Sequence, residues 1–201
     1  MNKWIMAGTA AAFTGAAAFA RSEYELTHLD IVHYDIKTDK LGLEWNGFKA
    51  VFLSDLHDNS FGMENEELLA AIEKEQPDIV VIGGDMLVVK EWAAPHFDML
   101  ANLYKKLVKR YPVYYAFGNH EQRMKEEPLT YPGWWQSYWK VLKDSGMHVL
   151  VNKSEEIIKN GTAMRISGIT LPRECYRKGR IPSLSAGYID KKIGKASDKN
   201  F

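Results

Sequence analysis

Three short apolar runs, each ending in a polar motif, constrain the fold of this chain more than any other feature of its sequence. The run at 49–53 continues into Ser54-Asp55-Leu56-His57, the run at 79–82 into Gly83-Gly84-Asp85, and the run at 113–117 into Gly118-Asn119-His120-Glu121. Short apolar runs bounded by turn residues are typical of buried strands. Because parallel strands bring their carboxyl ends to one edge of a sheet, we expect the three motifs to meet there.

Two amphipathic segments between the runs predict helices. The first is predicted from about Met63 to Glu75, and the second carries a buried stripe at Leu100, Leu103, Tyr104 and Leu107. The i, i+3, i+4, i+7 spacing of that stripe is helical. The order strand, helix, strand, helix, strand predicts an α/β fold with a parallel sheet.

Two other segments predict further strands. Asn160-Gly161 between apolar segments is a strong signal for a type I′ hairpin, so we expect the sheet to become antiparallel after the third motif. Between Glu25 and Trp45, the alternation of Val32, Tyr34 and Ile36 with polar neighbours predicts an edge strand.

The polar motifs contain side chains that bind metal ions in proteins. Asp55, His57, Asp85 and the Asn119-His120 pair offer oxygen and imidazole donors. Such donors suit divalent ions such as Mn, Fe or Zn. The carboxyl edge of the predicted sheet is therefore a candidate metal centre.

In their order and spacing, Asp55-Leu56-His57, Gly84-Asp85 and Gly118-Asn119-His120-Glu121 resemble the first three motifs of the calcineurin-like metallophosphoesterase family. The resemblance covers roughly residues 49–171. It implies an α/β fold, a metallophosphoesterase-like β-sandwich flanked by helices, of which this chain holds the first half. It also implies hydrolysis of a phosphoester or pyrophosphate bond by a hydroxide that two divalent metal ions activate.

The resemblance implies a role for each motif residue. Asp85 is expected to bridge the two metal ions, with Asp55 and His57 on the first ion and Asn119 on the second. His120 is expected to face the substrate, where it stabilises the phosphoryl oxygens or protonates the leaving group. Glu121, next to His120 in the sequence, is expected to orient the imidazole.

The family's later histidine motifs have no counterpart in this chain. No histidine follows His148, and the sequence stops at Phe201. We therefore expect partial metal occupancy and no phosphoesterase activity from these 201 residues alone. Two origins stay open, a shortened enzyme and a degenerate paralogue, and the alternative function is a non-catalytic binding protein that is exported or anchored at the cell surface.

The N-terminus predicts targeting. Lys3 precedes a charge-free apolar run from Trp4 to Ala20, which ends in the small-residue pattern Ala18-Phe19-Ala20. Seventeen helical residues span about 26 Å, slightly less than the roughly 30 Å hydrocarbon core of a bilayer. The run predicts either a cleaved signal peptide or a membrane anchor, and hence an extracytoplasmic location.

The expected organisation is a targeting segment at 1–21, a linker with an edge strand at 22–48, and a partial metallophosphoesterase domain at 49–201. Basic and acidic residues balance at 26 each, so no overall field favours nucleic acid as a partner. The expected partner is a phosphorylated small molecule or a lipid-linked substrate, with membrane association through the N-terminus.

Overall fold

A four-stranded parallel sheet forms the centre of the computed structural model, which describes residues 14–24, 27–177, 179 and 182–195. Strands β1 (Ala50–Leu53), β2 (Ile79–Ile82), β3 (Val113–Tyr115) and β4 (His148–Val149) lie side by side in chain order. All three neighbouring pairs are parallel. The α/β class and the three strands predicted from the apolar runs are confirmed.

Helices follow the strands. A 3-10 helix at Met63–Asn65 leads into α1 (Glu66–Glu75), and α2 (Phe97–Val108) precedes β3. Helix α3 (Asn119–Glu126) begins within the third polar motif, and α4 (Trp134–Ser145) leads to β4. Further 3-10 helices lie at Leu43–Trp45 and Arg173–Tyr176, and a short helix, α5, spans Tyr188–Ile193. Both predicted crossover helices are confirmed.

The main core lies between the sheet and these helices. The fully buried Val80 and Ile82 of β2 face a cluster that includes Leu100, Leu103, Tyr104 and Leu107 of α2. Burial of each such side chain contributes about 1.5 to 3 kcal/mol of transfer free energy. The core thereby fixes the strand ends from which the polar motifs project.

The predicted hairpin forms, but it does not extend the sheet. Strands β5 (Lys153–Lys159) and β6 (Thr162–Gly168) pair antiparallel around Asn160 and Gly161, whose φ angles of 50° and 83° suit a type I′ turn. The expectation that the main sheet becomes antiparallel was wrong, because β5 and β6 form a separate two-stranded sheet. Asn152, with φ of 50°, turns the chain between β4 and β5.

The hairpin instead packs on the face of the main sheet opposite to the helices. Ile157 of β5 joins a second core cluster with Trp45, Ile79 and Tyr114. Phe52 of β1, which aligns with Val81 and Tyr114 across the sheet, stays 67% exposed. The hairpin therefore covers β2 and β3 and leaves β1 open on that face.

In the described part of the predicted edge strand, from residue 27 to Trp45, no strand forms, since residues 29–38 have no regular secondary structure. Val32, Tyr34 and Ile36 are exposed instead of lying against the core. An alternating pattern specifies a strand only where a neighbouring backbone pairs with it and one face is buried. Neither condition is met here.

The predicted N-terminal targeting segment falls largely outside the described residues. Residues 14–24, at its end, are helical. Among the residues that the structure describes, no helix has the length and apolar character needed to cross a bilayer.

Candidate metal centre

The loops after β1 and β2 run side by side and deliver the first polar groups. The backbone N–H groups of Asp55 and His57 donate to the carbonyl oxygens of Gly84 and Asp85, each at 3.1 Å. Asp55, His57 and Asp85 all have positive φ, between 52° and 56°. This left-handed backbone is strained for residues with a side chain and is concentrated at functional sites in proteins.

Two glycines allow the loops after β2 and β3 to touch. A β-carbon on Gly84 would lie 1.9 Å from the backbone nitrogen of Gly118. A β-carbon on Gly118 would lie 2.3 Å from Cγ of Asp85. No side chain fits at either position, so the two glycines of the polar motifs bring Asp85 against the start of α3.

His57, Asp85 and His120 converge at the carboxyl edge of the sheet. Each offers a ligand atom, and these three atoms lie within 4.8 Å of one another. Asp55 is adjacent to the group, with its Oδ1 at 3.8 Å from His57 Nε2. The three motifs, which are distant in sequence, therefore meet at one edge of the sheet as predicted. The role of each residue as a metal ligand stays a prediction.

Asn119 lies against the Asp85 carboxylate. Asp85 Oδ1 accepts the backbone N–H of His120 at 2.8 Å. With its NH₂ group turned toward Asp85, the Asn119 amide donates to Oδ2 at 2.9 Å and accepts from the backbone N–H of His120 at 3.3 Å. If the amide oxygen faced Oδ2 instead, two acceptors would oppose each other, an arrangement that a cation between them would stabilise.

The donor chemistry fits divalent ions. Two carboxylates, one amide and imidazole nitrogens match what Mn, Fe and Zn accept, and the strained loops hold them close together. Asp55, His57, Asp85 and Asn119 are the residues of this chain that would hold the ions.

The ring of His120 is fixed by the backbone. Its Nδ1 accepts the N–H of Val89 at 3.0 Å, and the ring lies edge-on to that of His57, with centroids 5.2 Å apart. Burial lowers the pKa of the His120 imidazole, while the nearby Asp85 carboxylate opposes this shift and the Arg123 cation adds to it.

The hydrogen-bond partners of Glu121 differ from the one that the sequence predicted. It was expected to orient the His120 imidazole, but the Val89 N–H holds that ring. The fully buried Glu121 carboxylate accepts the backbone N–H groups of Asp85, Met86 and Gly118 at 3.0 to 3.2 Å. It therefore ties the loop after β2 to the loop after β3.

Three fully buried tyrosines support this carboxylate. The Tyr115 hydroxyl donates to the Glu121 carboxylate at 2.7 Å. The Tyr138 hydroxyl oxygen lies 2.6 Å from the hydroxyl oxygen of Tyr115 and 2.7 Å from that of Tyr104. Each hydroxyl has one proton, so Tyr138 donates to Tyr115 and Tyr104 donates to Tyr138. We call Tyr104, Tyr138 and Tyr115 the tyrosine chain.

Ionisation of these groups is disfavoured by their burial. Burial raises the pKa of the Glu121 carboxyl, an effect that hydrogen bonds from the Asp85 backbone and the Tyr115 hydroxyl oppose. Burial also raises the pKa values of all three phenols in the tyrosine chain.

Sequence reasoning missed Asp58 as well as the tyrosine chain. The Asp58 carboxylate accepts the backbone N–H groups of Val88 at 2.8 Å and His96 at 3.2 Å, which anchors the loop after β2. Its position directly after His57 was the available signal. Asp58 also has positive φ, 61°, and continues the strained loop.

Comparison with known proteins agrees with this geometry. The family of calcineurin-like phosphoesterases matches residues 48–191, and the chain belongs to that family. It is 32% identical over 117 residues to an uncharacterized metallophosphoesterase of Bacillus subtilis (strain 168), YkoQ. That alignment covers 58% of this chain and 41% of the relative, so the chain spans less than half of the relative's length.

Proposed function

We propose that this protein hydrolyses a phosphoester or pyrophosphate bond with the help of divalent metal ions held at the carboxyl edge of the parallel sheet. The observation that carries the proposal is the convergence of His57, Asp85 and His120, whose donor atoms lie within 4.8 Å of one another, so that two proposed metal ligands lie beside the residue proposed to contact the substrate. Membership of the calcineurin-like phosphoesterases supports the reaction class. When bound, divalent ions supply Lewis-acid activation of the phosphoryl group and of water.

His120 is the residue proposed to contact the substrate. Since its Nδ1 accepts the Val89 N–H, the neutral ring carries its proton on Nε2. A protonated nitrogen cannot ligate a metal ion, but it donates a hydrogen bond to a phosphoryl oxygen or a proton to a leaving group. This tautomer separates His120 from the ligand set and favours the catalytic role.

The ligand set divides unequally between two ions. One ion would take Asp55, His57 and the shared Asp85, and the other would take Asp85 and Asn119. A site with two protein donors competes poorly with solvent. We therefore propose one occupied metal site in this chain and hydrolysis that is very slow or absent.

Calorimetric titration with Mn²⁺ tests this proposal, with hydrolysis of an activated aryl phosphodiester measured in parallel. We expect one binding event per chain, weakened on the order of a hundredfold in Asp85→Asn, and any turnover to require Mn²⁺ and Asp85. The absence of Mn²⁺ binding, or turnover that persists in Asp85→Asn, would refute the proposal. Asp144→Asn, which removes an exposed carboxylate from α4, is the control and should change neither quantity.

The proposal also includes an extracytoplasmic location for the protein and a class of substrate. The apolar run from Trp4 to Ala20 supports export or membrane anchoring, and a phosphorylated small molecule or lipid-linked compound is the proposed substrate class. An extracytoplasmic site would act on phosphoesters outside the cytoplasm.

A further inference from the structure

A cavity of about 340 Å³ opens beside the metal centre, along helix α3. Asn119, Gln122 and Arg123 form one wall. Residues three and four positions apart lie on one face of a helix, so these side chains project in the same direction. Asn119 belongs to both the cavity and the proposed ligand set, so the cavity lies next to the metal centre.

The segment after β6 forms the opposite wall. Arg173, Glu174, Tyr176 and Arg177 line it. An ion pair between Arg173 and Glu127, the residue that follows α3, holds this segment against the helix. This segment thereby closes the cavity on the side opposite to α3.

The cavity has an excess of positive charge. Its lining includes three arginines and one acid, Glu174. Arg173 is paired with Glu127, whereas Arg123 and Arg177 form no ion pair within the part of the chain that the structure describes. Two guanidinium groups are therefore available to a ligand.

The phenol of Tyr176 links the cavity electrostatically to the metal centre. Burial raises the pKa of this phenol, and the Asp85 carboxylate contributes to the increase. Tyr176 therefore lies within electrostatic range of the proposed bridging ligand. The Tyr176 hydroxyl is a further hydrogen-bond donor for a ligand in the cavity, in addition to the donors of the arginines.

We propose that this arginine cavity, lined by Asn119, Gln122, Arg123 and the segment 173–177, binds a second phosphate group of the substrate. A phosphate monoester carries a charge of about −1.5 to −2, which matches the two available guanidinium groups. Guanidinium groups bind phosphate through paired N–H donors. The volume suits such a group, since ligand pockets begin at roughly 300 Å³.

The inference rests on the proposed function and narrows its substrate class. A compound with two phosphates would place one at the metal centre and the other in the arginine cavity. Diphosphates and bisphosphorylated compounds satisfy this requirement, whereas an ester whose single phosphate is its only anionic group does not.

Calorimetric titration of the full chain with inorganic phosphate, in a chelator and without added metal, tests the cavity separately from the metal centre. We expect saturable binding that weakens about tenfold in Arg123→Gln and in Arg177→Gln, since each removes charge-assisted hydrogen bonds. Arg110→Gln is the matched control, because Arg110 pairs with Glu73 and does not line the cavity. It should bind phosphate within about twofold of the wild type.

Unchanged phosphate affinity in both cavity variants, or equally tight binding of acetate, would overturn the inference. A parallel Mn²⁺ titration distinguishes this failure from failure of the proposed function. If Mn²⁺ binding is intact but phosphate binding does not respond to the two arginine substitutions, the phosphate-binding role of the cavity is rejected and the proposed function is retained. Arginine-dependent phosphate binding without Mn²⁺ binding retains the cavity and rejects the metal-dependent reaction.

Two further titrations identify the source of the phosphate. Glycerol 3-phosphate represents a soluble compound, and phosphatidylcholine vesicles containing phosphatidic acid represent a lipid head group. Binding to either one supports the cavity if Arg123→Gln weakens it. Binding to neither one contradicts the inference.

Discussion

The Glu121 carboxylate accepts the backbone N–H of Asp85 at 3.0 Å across 36 positions of sequence. The same oxygen accepts the N–H of Gly118 at 3.0 Å, so one buried group joins the loops that carry Asp85 and Asn119. The other oxygen accepts the N–H of Met86 and the hydroxyl of Tyr115. The position of Asp85 thus depends on a carboxylate that does not itself face the metal centre.

We expect Glu121→Gln to destabilise the protein by about 2 to 4 kcal/mol, because the amide NH₂ group must face two donors in place of an accepting oxygen. The Mn²⁺ affinity should fall as well, since Asp85 and Asn119 lose their common support. Urea unfolding and Mn²⁺ calorimetry measure the two effects.

Glu126→Gln provides the comparison for this variant. Glu126 lies on the same helix but is exposed, and its replacement should cost less than about 0.5 kcal/mol. Equal stability of the two variants would show that the Glu121 carboxylate does not hold the loops together.

The tyrosine chain makes stability sensitive to alkaline pH. The pKa values of Tyr104, Tyr138 and Tyr115 are raised in the folded protein by burial. The unfolded chain therefore loses these protons at lower pH than the folded protein does. The stability that the phenols contribute is complete below the unfolded pKa of about 10 and is lost as the pH rises above it.

Tyr138→Phe should reduce this pH dependence. One phenol that ionises only in the unfolded state lowers the free energy of unfolding by about 1.4 kcal/mol at pH 11, so the wild type should lose about that much more than the variant between pH 8 and pH 11. Urea unfolding at the two pH values measures the difference. Tyr34→Phe, at an exposed position, is the control, and a Tyr138→Phe variant with wild-type pH dependence would contradict the role of burial.

The first three strands of the main sheet and the meeting of the three motifs were predictable because each depends on local pattern, whereas β4 was not predicted. The apolar runs specify β1 to β3, and parallel pairing then brings His57, Asp85 and His120 to one edge. The prediction of an edge strand failed because the alternation of Val32, Tyr34 and Ile36 carries no information about a pairing partner.

The tyrosine chain was not predictable for a related reason. Tyr104 and Tyr138 occupy buried positions of helical stripes, where aromatic rings commonly serve as packing, while Tyr115 ends β3. Their hydroxyl groups meet only after α2 and α4 pack on the sheet. The arginine cavity likewise depends on how residues 173–177 fold back onto α3, which the sequence pattern does not encode.

The N-terminal run predicts export. A charged residue at the centre of a membrane-inserting helix costs about 2.5 to 3.5 kcal/mol, so Ala12→Asp should leave the protein in the cytosolic fraction. Ala12→Ser, which adds a small polar group without charge, should be exported like the wild type. Fractionation of the expressing cells measures the distribution, and identical cytosolic recovery of all three forms would refute the prediction.

Asp85→Asn should weaken Mn²⁺ binding more than His57→Asn does. Asp85 brings a negative charge and is the proposed ligand shared by both ions, whereas His57 is a neutral ligand of one ion. Removing a carboxylate charge at contact distance should cost on the order of a hundredfold in affinity, about 2.7 kcal/mol, and removing the imidazole about tenfold. The amide oxygen introduced by Asp85→Asn can still accept the N–H of His120, as Asp85 Oδ1 does at 2.8 Å, so the loop should keep its conformation. Calorimetric titration of both variants gives the order directly. A greater loss in His57→Asn would show that Asp85 is not the shared ligand.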